Sequence, residues 1–189
     1  ICKIAKPVLV SPSFLHSHWV FQSALPLFGR KSRHPPLSLV TVAAMLPKNW
    51  EITLVDMNIE TLTDEHIQQA DIVMTTGMGI QQDSMAKVCA KARAMGKLTV
   101  LGGPLASGSI ERVDGYADVM VLDEGELTIP PFLEDLERGT LQKMYRSEAK
   151  PDLSMSPVPR YDLLKFKNYS VIDIQYSPRS PVHVEFCDI

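Results

Sequence analysis

The chain has 189 residues, 45% of them hydrophobic and 22% charged, with 19 basic against 22 acidic side chains. A net charge of −3 supplies no overall field for nucleic acid or an anionic membrane surface. Balanced charge and plentiful aliphatic residues exclude disorder, and no apolar run approaches the roughly 20 residues of a membrane helix. The length suits one domain of ordinary size with a short appendage. Cys2, Cys89 and Cys187 are too few and too scattered for a disulfide scaffold, so a reducing, cytoplasmic compartment is expected. No charged n-region followed by an apolar h-region opens the chain, and no secretory signal is expected. Ile1 and Ile189 read as ends cut from something longer.

Five apolar runs recur along the chain: Pro7–Val10, Ile52–Val55, Ile72–Thr75, Leu98–Leu101 and Val119–Leu122. They are nearly continuous rather than alternating, as parallel strands covered on both faces are. Helical stretches lie between them. Residues 38–46 come first, then a short helix capped by Thr63. Ser84 to Met95 puts Met85, Val88, Ala92 and Met95 on one stripe, with Gly96 as the stop. Pro130 to Arg138 repeats the pattern and stops at Gly139. These alternations predict an α/β fold, a flavodoxin-like doubly wound parallel sheet of five strands in the order 2-1-3-4-5. Residues 1–140 form that domain, and the proline-bearing residues 141–189 read as a linker. Within it, Tyr169 to Tyr176 is a candidate strand opening a second domain.

Ligands of such sheets bind beyond the carboxyl ends of the strands, which directs attention to the loops beginning at Ser11, Asp56, Thr76, Gly102 and Asp123. The first loop, Ser11 to about Pro36, is long enough to be functional. It holds Phe14, Trp19, Phe21 and Phe28, His16 and His18, then the basic run Arg30-Lys31-Ser32-Arg33-His34. Aromatics among cations could line a pocket for a large flat ligand, or fold as a lid over the sheet edge. Gly77-Met78-Gly79-Ile80-Gln81-Gln82 follows a strand and opens a helix. As a dinucleotide fingerprint it is broken: Gln82 replaces the third glycine, and the motif follows the third strand rather than the first. Its glycines still let backbone approach a ligand, as does Gly102-Gly103-Pro104, whose alternative reading is a plain tight turn. Glu124 and Glu126 flank Gly125. They suit a helix N-terminus and could equally accept hydrogen bonds from amides on a ligand rim. No cysteine–histidine set has zinc spacing, and no catalytic Ser/His/Asp arrangement emerges.

Several stretches together resemble the cobalamin-binding N-terminal region of B12-dependent radical SAM enzymes. The nearest group holds the hopanoid C-2 methylases and proteins like magnesium-protoporphyrin monomethyl ester cyclase. The resemblance rests on Phe28-Gly29-Arg30-Lys31-Ser32, Pro35 to Ala44, Leu54-Val55-Asp56-Met57-Asn58, Gly102-Gly103-Pro104 and Asp123-Glu124-Gly125-Glu126. In the linker it rests on Lys150 to Leu153 and Pro157 to Leu164. It implies cobalamin over the carboxyl edge of the sheet, contacted by Ser11, Pro12, Pro36, Leu37, Met57, Asn58, Thr76, Gly77, Gly79, Gly102, Gly103, Pro104, Glu124, Gly125 and Glu126. It also implies that the chain's partners are cobalamin and the C-terminal radical SAM domain of the parent.

Many cobalamin domains carry a cobalt-ligating Asp-x-His-x-x-Gly. Asp64-Glu65-His66-Ile67-Gln68-Gln69 is similar but follows the second strand and ends in Gln69, so it reads as a surface helix without ligation. Family members also carry Cys-x-x-x-Cys-x-x-Cys, which holds a [4Fe–4S] cluster that binds S-adenosylmethionine. At those positions stand Ser180, Val184 and Cys187, so Cys187 is a lone remnant as a metal ligand. The cluster and S-adenosylmethionine are expected in the parent enzyme only, and this chain by itself is expected to be non-catalytic. The rival readings are a receiver-like interaction module, against which no lysine ends the fifth strand, and a nucleotide-binding α/β module.

Overall fold

The computed structural model describes residues 5–15, 23–152 and 156–173. Alternation within each apolar run decides the architecture. In β1 (Pro7–Ser11), Leu9 faces one side of the sheet while Val8 and Val10 face the other. The same split divides Leu54 from Val55 in β2 (Thr53–Asp56), and Ile72 and Met74 from Val73 in β3 (Ile72–Thr76). It separates Val100 from Leu101 in β4 (Leu98–Gly102), and Val119 from Met120 in β5 (Val119–Val121). Both sides are apolar, so both must be covered.

Helices α1 (Leu37–Met45) and α5 (Gly125–Arg138) cover one side. On the other lie α2 (Asp64–Gln69), α3 (Gln82–Ala94) and α4 (Pro104–Gly108). All pairings are parallel, and the sheet runs β2-β1-β3-β4-β5-β6. The doubly wound α/β fold and the order of the first five strands are as the sequence predicts.

Two details correct the sequence reading. A sixth strand, β6 (Met144–Tyr145), joins the edge beside β5. At two residues it carries no periodicity to detect. It is fixed instead by the Tyr145 ring, which packs edge-on against Phe132 at 5.7 Å, and by its hydroxyl, which donates to Asp135 at 2.9 Å. Helix α5 begins at Gly125, not Pro130: Pro130 and Pro131 lie inside it, costing two amide donors, while buried Ile129 and Phe132 hold the helix to the sheet.

The segment 156–173 returns along the α1 side. Arg160 N–H donates to the Val40 carbonyl at 2.9 Å, Leu164 and Tyr169 enter the core, and Tyr169 pairs with Ser32 in an isolated parallel bridge. The part of the expected Tyr169–Tyr176 strand beyond Asp173 lies outside the described residues, as do His16, His18, Trp19, Phe21, Cys2, Ser180, Val184 and Cys187.

Candidate functional site

Parallel strands put every strand-to-helix loop at one edge, so Ser11, Asp56, Thr76 and Gly102 end their strands side by side. The loops are tied together by side chains. Gln81, only 5% exposed, donates from Nε2 to the Pro12 carbonyl at 2.6 Å, while its Oε1 accepts from Met78 N–H at 3.1 Å. Asn58 Nδ2 also donates to the Pro12 carbonyl, at 3.3 Å, and Asn58 Oδ1 accepts from Phe14 N–H at 2.9 Å. Ser84 Oγ accepts from Ser13 N–H at 3.0 Å. The first loop is therefore held at successive residues by the second and third.

Asp56 lies at the centre of this arrangement, 2% exposed. Its Oδ1 accepts from Asn58 N–H at 3.0 Å and from Asn58 Nδ2 at 2.7 Å. Its Oδ2 accepts from the Tyr169 hydroxyl at 2.9 Å. Burial pushes the Asp56 carboxyl above its ordinary range, and hydrogen bonds from Asn58, Tyr169 and Ser11 pull it back. Burial, together with the Asp56 charge, raises the Tyr169 phenol.

The next two loops offer bare backbone and apolar tips. Gly103 has φ 90°, and a Cβ there would lie 1.8 Å from Thr76 Oγ1. Gly102 leaves no room either, because its Cβ would meet the Val121 carbonyl oxygen at 2.7 Å. A Cβ on Gly77 would reach Met85 Sδ at 2.9 Å, whereas one on exposed Gly79 would make only ordinary contact with Arg112 at 3.5 Å, and Met78 and Ile80 beside it are exposed. Pro104 opens α4 and is exposed.

Of the remaining predicted residues, Met57 and Asn58 are half-buried after β2, and Pro36 and Leu37 open α1 behind the first loop. Gly125 is packed toward α1, where its Cβ would meet Met45 Sδ at 3.3 Å. Glu126 accepts a hydrogen bond from the Ser156 hydroxyl, and Glu124 occupies the N-cap position of α5 without a side-chain capping bond. Beside Glu124, Asp123 adopts φ 59°, pairs with Arg146 at 3.0 Å and has its N–H bound by Ser107 Oγ at 2.8 Å.

His66 is engaged at its own helix start: its Nδ1 accepts from Thr63 N–H at 3.2 Å, completing a capping box. Among the described residues, no group of three or more His, Cys, Asp or Glu side chains is placed to hold a metal ion. Gln82, in the broken third-glycine position, is taken up by the Arg112 carbonyl at 3.0 Å and the Tyr116 hydroxyl at 3.1 Å. The sequence reading missed Gln81, Ser84 and Tyr169. Gln81 alone had a local signal, an amide side chain two residues after Gly79 of the Gly77-Met78-Gly79 run.

An edge lined by backbone, glycines and exposed apolar tips fits a broad, largely apolar ring with amides at its rim. Comparison with known proteins agrees. The model of the B12 binding domain family matches residues 28–133. An uncharacterized methyltransferase of Synechocystis sp. is 42% identical over 185 residues, which are 97% of this chain and 34% of that protein. The hopanoid C-2 methylase of Rhodopseudomonas palustris is 32% identical over 95% of this chain and 35% of its own length. The bacteriochlorophyllide d C-12(1)-methyltransferase of Chlorobaculum tepidum is 24% identical over 80% of this chain and 34% of its own. The chain thus spans about a third of the length of these curated relatives. The resemblance to the cobalamin-binding region of hopanoid C-2 methylases, read from short motifs, is borne out, and the chain belongs to the B12 binding domain family.

Proposed function

We propose that this chain is the cobalamin-binding module of a longer B12-dependent methyltransferase of the radical SAM class. The observation that carries the reading is the family match over residues 28–133, which spans four of the five carboxyl-edge loops and the start of the helix that follows the first. Methyl transfer is the activity common to the names of the three relatives. Cobalamin, when bound, supplies a cobalt centre able to carry a methyl group.

In this reading Ser11, Pro12, Met57 and Asn58 hold one side of the ring with backbone and short polar groups. Thr76, Gly77, Gly79, Gly102, Gly103 and Pro104 would offer it backbone from the loops after β3 and β4. Pro36 and Leu37 add an apolar border. Glu124, Gly125 and Glu126 stand at the far rim, where the carboxylates can accept from ligand amides. Residues 1–140 are the cofactor module, and 141–189 are the linker and the start of a radical SAM domain. S-adenosylmethionine and the [4Fe–4S] cluster belong to that parent enzyme, of which Cys187 is the remaining ligand. The absence of a membrane-spanning helix among the described residues is compatible with a cytoplasmic protein.

The test is titration of the whole chain with hydroxocobalamin, read by the shift of the corrin absorbance, with nicotinamide and flavin nucleotides as competitors. Saturable, stoichiometric binding that neither nucleotide displaces is expected. Met78→Asp, a charge at an exposed apolar tip of the edge, should weaken it severely. Failure to bind cobalamin, or displacement by a nucleotide, refutes the proposal.

A further inference from the structure

The segment after the sheet reaches into the centre of the loop network. Residues 168–171 are laced to the stretch before α1: Lys31 and Ser32 N–H groups donate to the Asn168 carbonyl, and Ser170 N–H donates to the Ser32 carbonyl at 3.2 Å. That pairing delivers the Tyr169 side chain, 5% exposed, to the end of β2. There its hydroxyl is bound to Asp56, Asp56 is bound to Asn58, and Asn58 grips both the Pro12 carbonyl and Phe14 N–H. Three side chains thus form an unbroken path from Tyr169, 113 positions downstream of Asp56, to the first carboxyl-edge loop. The core contacts of the Tyr169 ring would be met by phenylalanine. The hydroxyl serves only Asp56, since no other hydrogen bond of this group is present among the described residues.

We propose that Tyr169 is a positioning residue for the cofactor edge: through Asp56 and Asn58 its hydroxyl fixes the Pro12–Phe14 loop, so the segment following the sheet is part of the cobalamin site. This rests on the cobalamin reading above for the ligand, but the path itself is testable without ligand. A buried carboxylate that loses one of its donors is left under-bonded at Oδ2, and Asn58, which shares that carboxylate with Ser11, loses part of what fixes its orientation.

The experiment compares the whole chain with Tyr169→Phe, Asn58→Ala, the double variant, and Tyr161→Phe as control. Tyr161 lies on the same segment, and its hydroxyl donates to the Asp173 carbonyl at 3.2 Å, away from Asp56. In the ligand-free proteins, amide hydrogen exchange is expected to accelerate in Tyr169→Phe at Phe14 and Asn58, with β3 and β4 amides unchanged. Tyr161→Phe should leave all of them protected. Hydroxocobalamin binding should weaken by about ten-fold in Tyr169→Phe, the factor carried by a hydrogen bond to a charged group. In the Asn58→Ala background the same change should add nothing, because the path is already cut.

Uniform acceleration of exchange, or none, overturns the path. Accelerated loop exchange with unchanged cobalamin affinity overturns its role at the cofactor edge, as does an undiminished effect of Tyr169→Phe in the Asn58→Ala background. Absence of cobalamin binding to the unaltered chain refutes the ligand, and with it the cofactor half of the proposal. The exchange measurement still decides the path.

Discussion

Gly103→Ala is the sharpest single test of how the cofactor edge is built. Gly103 joins β4 to α4 with φ 90° and ψ −177°, a conformation open to glycine and nearly closed to residues with a Cβ. Holding alanine there costs about 1–3 kcal/mol in backbone strain. The added methyl would also sit 1.8 Å from Thr76 Oγ1, 3.1 Å from Thr76 Cβ and 3.3 Å from Gly77 N. Thr76 ends β3, paired with Gly102, so it can retreat only by rotating its hydroxyl out or by parting the strands. Overpacking of this kind costs about 1–3 kcal/mol more. A total of about 3–4 kcal/mol is therefore expected, which lowers the melting temperature of a domain this size by about 10 °C. Urea denaturation of Gly103→Ala, Thr76→Ala and the double variant separates the two parts. Removing the threonine hydroxyl should recover about 1–2 kcal/mol of the loss and leave the backbone strain. A Gly103→Ala protein within about 0.5 kcal/mol of the unaltered chain refutes the reasoning. So does a Thr76→Ala background that recovers nothing.

Three further outcomes follow from the geometry. His66→Ala should lose about 0.5–1 kcal/mol through its broken capping box and bind hydroxocobalamin as tightly as before; a large loss of binding would mean that His66 reaches the ligand. Burial, with the Asp118 charge adding to it, pushes the Cys89 thiol up to about 11. In a Cys2→Ser/Cys187→Ser background, Cys89 should therefore resist iodoacetamide at about pH 8 while folded and react once unfolded. Asp135 is held below its ordinary 3.8 chiefly by the Tyr145 hydroxyl, then by Gln142. A lowered carboxyl stabilises the fold above its unfolded value and loses that contribution as pH falls through the folded one. Tyr145→Phe should accordingly be less stable than the unaltered chain at neutral pH, with the gap narrowing as the pH falls below 3.8 in thermal melts. A gap that stays constant with pH would show that Tyr145 acts only through packing.

What the sequence disclosed about the fold was what repeats locally. Val8-Leu9-Val10 and Ile72-Val73-Met74 announce doubly covered strands because both faces are apolar, and Thr63 announces α2 because capping acts over three residues. Met144–Tyr145 gives no such signal. Its place depends on the Tyr145 ring meeting Phe132 thirteen residues earlier in α5 and on pairing with β5. The start of α5 was obscured by Pro130-Pro131, which in a bare sequence read as a helix opening rather than its second turn. For the candidate edge, the glycine and strand-end positions were legible from the rule for parallel sheets. The amide and hydroxyl ties were not. Gln81 meets Pro12 across 69 residues and Tyr169 meets Asp56 across 113, separations at which no pattern in the chain foretells contact.

Helix α1 explains why the segment 156–173 is more than a tether. Leu37, Leu39, Val40, Val42, Ala43 and Met45 leave it almost no polar face, so a sheet on one side alone would expose apolar surface to water. The returning segment supplies the second cover, with Tyr161, Leu163 and Leu164 against the same cluster and Arg160 N–H on the Val40 carbonyl. A chain that must pass over α1 to satisfy its packing is then brought beside Ser32, where the bridging residue, Tyr169, sends its hydroxyl to Asp56. The covering of a hydrophobic helix and the fixing of a polar loop are thus achieved by one strand of polypeptide. Any movement of that strand would be felt at Pro12–Phe14, because Tyr169, Asp56 and Asn58 link the two through consecutive side-chain hydrogen bonds.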